Sequence, residues 1–156
     1  MATPEFPQKQ FLIEVIARTE KQVIANKVWR QLPANYRGNV VEIQPKNTRG
    51  CHYEIGLHQD CHEIALHFQG TPQNNASRLD GFRPYVSQIN SSLGKQVILG
   101  PHEHKGRKRL WIKLPTQPLT EELANEYANL ITQLIIHTYS ILTAILDKEE
   151  AATSWK

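Results

Sequence analysis

The stretch CHYEIGLHQDCHEIALHFQ, residues 51–69, holds both cysteines and four of the seven histidines. With Gln59 and Asp60 at a turn, it folds on itself as a β-hairpin. His58 then faces Cys61, Leu57 faces His62, Gly56 faces Glu63, Ile55 faces Ile64, Glu54 faces Ala65, Tyr53 faces Leu66 and His52 faces His67. Successive side chains of a strand point to opposite faces. One face therefore collects Tyr53, Ile55, Leu57, Ile64, Leu66 and Phe68, and the other His52, Glu54, His58, Glu63, His67 and Gln69. A register that sorts apolar from polar this cleanly is strongly specified, since a one-residue slip would invert it.

The same register bears on chemistry. Cys51 and Cys61 fall on opposite faces, so they can neither pair as a disulfide nor share a metal ion. His52 and His67 stand across from each other with Glu54 two residues along, and two imidazoles plus a carboxylate can hold zinc with one position open. The bland alternative is a solvated polar face. Glu54 and Glu63, flanking Gly56, are a weaker acid/base pair.

Outward from the hairpin, apolar residues at helical spacing (Leu12, Val15, Ile16, Val23, Ile24, Val28) predict an N-terminal helix over residues 8–32. Pro33 and Gly38 end it. VVEIQP alternates and stops at Pro45, which suits a short edge strand. GTPQNNASRLDG has loop composition. Residues 83–93 predict a helix, with Pro84 in its first turn and Gly94 as its cap. A second hairpin, QVILGPHEHKGRKRLWIKLP, follows. With its turn at Lys105–Gly106, His104 faces Arg107, His102 faces Arg109, Gly100 faces Trp111, Leu99 faces Ile112 and Val97 faces Leu114. Thr120 is a good N-cap for a last helix over residues 120–148, with Glu121 and Glu122 in its first turn. Residues 149–156 are left as a tail.

The order α-β-ββ-α-ββ-α predicts one α+β domain, an antiparallel sheet of two hairpins and an edge strand with helices packed on it. A length of 156 residues suits one domain and is short for two. The long last helix is apolar over a wide arc, which predicts a homodimer. No apolar run serves as a secretory segment, none is an uninterrupted membrane span, and there are only two cysteines. A cytoplasmic protein without a membrane partner is expected.

The net charge of +3 is unevenly spread: residues 95–118 hold six basic and one acidic residue, while residues 119–156 hold two basic and six acidic. The positive field centres on Lys105, Arg107, Lys108, Arg109 and Lys113, with Trp111 among them. Cations around an aromatic suit nucleic acid, where phosphates meet charge and a base can stack. Edge strands carry Lys and Arg for another reason too, because these residues block aggregation. Phosphate-loop, dinucleotide and nucleophile-elbow motifs are absent from the sequence. His102–Lys105 contains an acid-x-Lys pair, but at a hairpin tip, where it suits a nuclease poorly.

The pattern HYEIGL, HEIALHFQGTPQNN, FRPYVSQINSSLG, RLWIKLP resembles a poorly characterised bacterial domain family, found alone or attached to restriction- and defence-associated proteins. It covers residues 38–156 and consists of packing and turn motifs. The resemblance implies a nucleic-acid-processing neighbourhood and carries no catalytic residue. The sequence thus favours a non-enzymatic binding or regulatory module without a cofactor. Its partner would be nucleic acid or a nucleic-acid-processing protein. The alternatives are a metal-dependent hydrolase or nuclease built on His52, Glu54 and His67, and a purely protein-binding homodimer.

Overall fold

The computed structural model describes residues 4–46, 48–101 and 106–154. The chain runs α1 (Gln8–Ala25), β1 (Ala34–Arg37), β2 (Val40–Ile43), β3 (Cys51–Leu57), β4 (His62–Phe68), α2 (Pro72–Phe82), a 3-10 turn (Arg83–Tyr85), α3 (Val86–Leu93), β5 (Ile98–Pro101), β6 (Lys108–Leu114) and α4 (Glu121–Ser154). All pairings are antiparallel, and the six strands form one sheet in the order β1-β2-β3-β4-β6-β5. This is the expected α+β class, with one more strand and one more helix than the sequence predicted.

The central hairpin has the predicted register throughout, from Leu57 opposite His62 to His52 opposite His67. Its apolar face, continued by Val41, Ile43, Leu110, Ile112 and Leu114, meets the helices in one core. Tyr53 bonds Thr138 of α4 at 2.7 Å, Phe11 of α1 stacks edge-on against Tyr127 of α4, and Phe68 packs on Phe82 of α2. The two free cysteines are apart as expected, Cys51 buried and Cys61 half-buried. Burial pushes the Cys51 thiol up to about 11, although neighbouring Arg78 pulls the other way.

Several expectations need correction. The first helix ends at Ala25, because Lys27 takes a left-handed φ of 58° and Val28 bonds back to Val23. Val28 and Trp29 kept the apolar pattern going because they still pack on the core after the helix has ended. Residues 34–37, read as a break, are strand β1, turned into β2 by Gly38 at φ 59°. The sheet edge is therefore β1, and VVEI lies one strand inside it. GTPQNNASRLDG is mostly helix α2: Thr71 Oγ1 accepts the Asn74 N–H at 3.2 Å, with Pro72 at the first position. Gly94 caps α3 in the left-handed region as expected.

The β5–β6 register also differs, by two residues. Gly100 faces Arg109, Leu99 faces Leu110 and Ile98 faces Trp111, so Pro101 pairs with Lys108 and the register is not the one that a turn at Lys105–Gly106 would set. An even shift preserves the faces, so the apolar set Leu99, Leu110, Ile112 and Leu114 still points inward. The predicted His102 and His104 pairings, and the acid-x-Lys pair, lie outside the described residues.

Helix α4 begins at the expected cap, with Thr120 Oγ1 accepting the Leu123 N–H, and runs past residue 148 to Ser154. Its 34 residues span about 51 Å. By length and mean hydropathy it could cross a membrane, yet Tyr127, Ile131, Leu134, Ile135 and Leu142 are core residues of this fold. The apolar arc that suggested a partner is thus largely covered within the chain, with Ile141 and Ile145 left half-buried.

Candidate functional site

Helices cover one face of the sheet. On the other, β3 and β4 display His52, Glu54, Glu63 and His67, all nearly inaccessible, with Glu63 at 0% and His67 at 1% exposure. Strand pairing aligns them in rows. His52, His67 and Arg109 form one row, Glu42, Glu54, Ala65 and Trp111 the next, and Val40, Gly56, Glu63 and Lys113 a third.

The side chains of these rows close over one another. His52 Nε2 lies 3.1 Å from Glu54 Oε1 and 3.9 Å from a Glu42 oxygen. His67 Nε2 lies 3.3 Å from Glu54 Oε2 and 2.8 Å from Glu63 Oε1. The His52 and His67 rings stack with centroids 5.2 Å apart. Arg109 forms a close ion pair with Glu63, and its guanidinium sits 3.7 Å above the Trp111 ring. His58 Nε2, at the hairpin end, folds back to 3.8 Å from Glu63 Oε1. Glycine at position 56 permits this: a Cβ there would collide with the His58 ring.

Burial alone would push the Glu63 carboxyl up. Hydrogen bonds involving His58, His67 and Glu54, together with the charge of His67, outweigh it and hold Glu63 well below the usual carboxylate range. Glu63 is thus a fixed negative charge at the centre of the face. A cleft of about 390 Å³ runs over the cluster, lined only by strand and connecting residues, among them Glu42, Glu54, His67 and Arg109.

The residues named from sequence separate into two groups. His52, Glu54 and His67 do converge, with one ligand atom from each within 4.8 Å of the others. The hairpin alone could not show that Glu63, His58 and Arg109 join them. Arg109 arrives through the long-range pairing of β4 with β6, and His58 through the turn. Gly56, set opposite Glu63 in a strand, was the available signal, since a strand glycine often marks close approach.

The basic residues are more dispersed than expected. Lys105 lies outside the described residues. Arg107 lines the cleft, and Lys113 is exposed on the same side. Lys108 has the parity of Leu110 and therefore points to the opposite side of the strand from Arg109. Arg109 is held by Glu63, and Trp111, half-buried beneath it, faces Ile98 rather than Gly100.

A larger cleft, of about 830 Å³, lies between the start of α2 and the end of α4. Its buried Arg78 is clamped by both carboxylate oxygens of Glu149, at 2.9 and 3.0 Å, an arrangement that ties α2 to α4.

No family model matches this chain, and neither does any curated protein. Among solved structures, the chain is similar to YbjN from E. coli, described as "a putative transcription regulator". The two are 13% identical, with 76% of this chain and 89% of that one covered and a TM-score of 0.34. The likeness is weak, at the level of the fold, and carries no functional argument. The bacterial family resemblance therefore rests on its hairpin and turn motifs, and no defence association is shown.

Proposed function

We propose that this chain is a non-enzymatic binding module that contacts nucleic acid through the β6 side of its helix-free face. One observation supports this reading above others. In the segment of net charge +5, Arg107, Lys108 and Lys113 form no ion pair among the described residues, and Arg37 and Arg109 line the same cleft of the helix-free face as Arg107. Cations without an ion-pair partner, at and beside the ends of β6, can exchange counterions for phosphates. Lys108 points to the opposite side of β6 from Lys113. A single strand passing around the end of β6 would meet both, whereas a rigid duplex would favour one side. The edge of Trp111 offers a limited stacking surface, its face being taken by Arg109.

Binding of labelled single- and double-stranded DNA and RNA across a salt series tests the proposal. Affinity should fall linearly on a logarithmic salt scale, and a single strand should bind better than a duplex. The triple substitution R107A/K108A/K113A should lower the slope by about 2, at roughly 0.7 per single-strand phosphate contact. Absence of binding at low salt, or an unchanged slope in the triple variant, would overturn the reading.

A further inference from the structure

The structure assigns a divalent transition-metal site of the zinc class to His52, Glu54 and His67, with Glu63 facing its fourth position. The inference is independent of the nucleic-acid reading, since it uses none of the three cations named there.

Three observations carry it. The first is donor geometry. A tetrahedral zinc ion with bonds of about 2.0–2.2 Å places its ligand atoms about 3.4 Å apart. Glu54 Oε1 stands 3.1 Å from His52 Nε2 and its Oε2 3.3 Å from His67 Nε2, so both imidazoles point the same nitrogen at one carboxylate, each at a different oxygen. The whole trio fits within 4.8 Å, a spread that small side-chain rotations close. Glu63 Oε1, 2.8 Å from His67 Nε2, stands beside the same point.

The second is charge. Glu54 and Glu63 are buried, and Glu42 approaches His52 from the cleft side. Arg109 is the guanidinium paired within the cluster. Buried carboxylates need compensating charge: without a metal it comes from Arg109 and from the imidazoles beside Glu54 and Glu63, and a divalent ion held by the neutral imidazoles would supply it in their place. Neither cysteine joins the trio, since Cys51 belongs to the apolar face and Cys61, although it lines the cleft, is not among the groups that converge, and imidazole with carboxylate is a donor set suited to zinc and its neighbours.

The third is support and access. Arg109 fixes the outer oxygen of Glu63, the kind of second contact that orients a ligand group. The cleft reaches Glu54 and His67 directly, which gives an ion a route in.

The test uses the tag-free full chain, stripped with chelator and dialysed. It is titrated with Zn²⁺ by calorimetry and with Co²⁺ by visible absorbance. One equivalent per chain should bind, with a dissociation constant of about a micromolar or tighter and a Co²⁺ spectrum of nitrogen and oxygen ligation. His52→Gln, Glu54→Gln and His67→Gln should each weaken binding by at least about 10-fold. Far-UV circular dichroism checks that each variant is folded. If one is not, the wild-type chain decides the matter through its Co²⁺ spectrum and a Zn²⁺-dependent rise in Tm. R107A/K108A/K113A should bind metal normally, so failure of the nucleic-acid reading leaves this result distinguishable. Absence of Zn²⁺ and Co²⁺ binding to the wild-type chain, or binding that survives in folded His52→Gln and His67→Gln, would overturn the assignment.

Discussion

The two faces of the β3–β4 hairpin are equally inaccessible and are buried by different physics. On one, Tyr53, Ile55, Ile64 and Leu66 disappear beneath the helices as ordinary apolar core. On the other, His52, Glu54, Glu63 and His67 are hidden by one another, by His58 folded over Gly56, and by Arg109. Apolar burial is non-directional and accumulates with area. Burial of charge is favourable only when each group has its partner. The first face should therefore tolerate changes of partner and fail on loss of volume. The second should tolerate loss of volume and fail on loss of a partner.

The largest effect expected is on the apolar side. Leu66→Ala should cost about 2–5 kcal/mol in urea unfolding, because the cavity lies under helices that cannot fully collapse onto it. Almost as large, and opposite in logic, is Glu63→Ala at about 3 kcal/mol, since it leaves the Arg109 guanidinium partly buried without its carboxylate. Adding Arg109→Met to a Glu63→Leu chain should recover most of that loss, because an apolar pair of similar size removes both charges together. If the double variant is no more stable than Glu63→Ala, partnership is not what holds this face, and the contrast with the helix-covered face fails.

The comparison also explains what could be read from sequence. Period-two alternation over seven residues in each strand fixed the central register without any tertiary information, and with it the approach of His52, Glu54 and His67. Local chemistry likewise placed the start of α4 at Thr120 and the cap of α3 at Gly94. The failures have different causes. Strand β1 is four residues, ANYR, too short to show alternation, and it exists because Gly38 turns it onto β2. Helix α2 is made of poor helix formers (Asn74, Asn75, Ser77, Asp80, Gly81), so composition argued for a loop while the Thr71–Pro72 start signal argued for a helix. Packing of Leu79 and Phe82 on the core decides in favour of the helix. The partnership of Arg109 with Glu63 was out of reach, because it depends on β6 inserting between β4 and β5, and nothing local specifies that order.

The smallest expected effect probes the one place where a histidine of this hairpin crosses to the apolar side. His62 alternates with Glu63 and so points at the helices, where its Nδ1 meets the Tyr127 hydroxyl at 2.6 Å. Burial lowers the His62 pKa, with a smaller contribution from His58. Burial raises that of Tyr127, against a hydrogen bond from Gln117 and with a push from Glu126. Both shifts favour the neutral pair. For Tyr127 the sign is direct: the folded chain holds its phenol proton more tightly than the unfolded chain does. The phenol's contribution is therefore complete below the unfolded value near 10 and is lost as pH rises above it. Tyr127→Phe keeps the ring and its edge contact with Phe11, and removes only the hydroxyl. It should cost about 1 kcal/mol at pH 8, the net worth of one buried hydrogen bond. The gap between wild type and variant should then close as pH is raised from 9 to 11, because only the wild type has a phenol at this position that ionises in the unfolded chain while the folded chain still holds its proton. A gap that stays constant across that range in urea unfolding would mean that the hydroxyl is solvated, and that His62 is held by shape rather than by its bond to Tyr127.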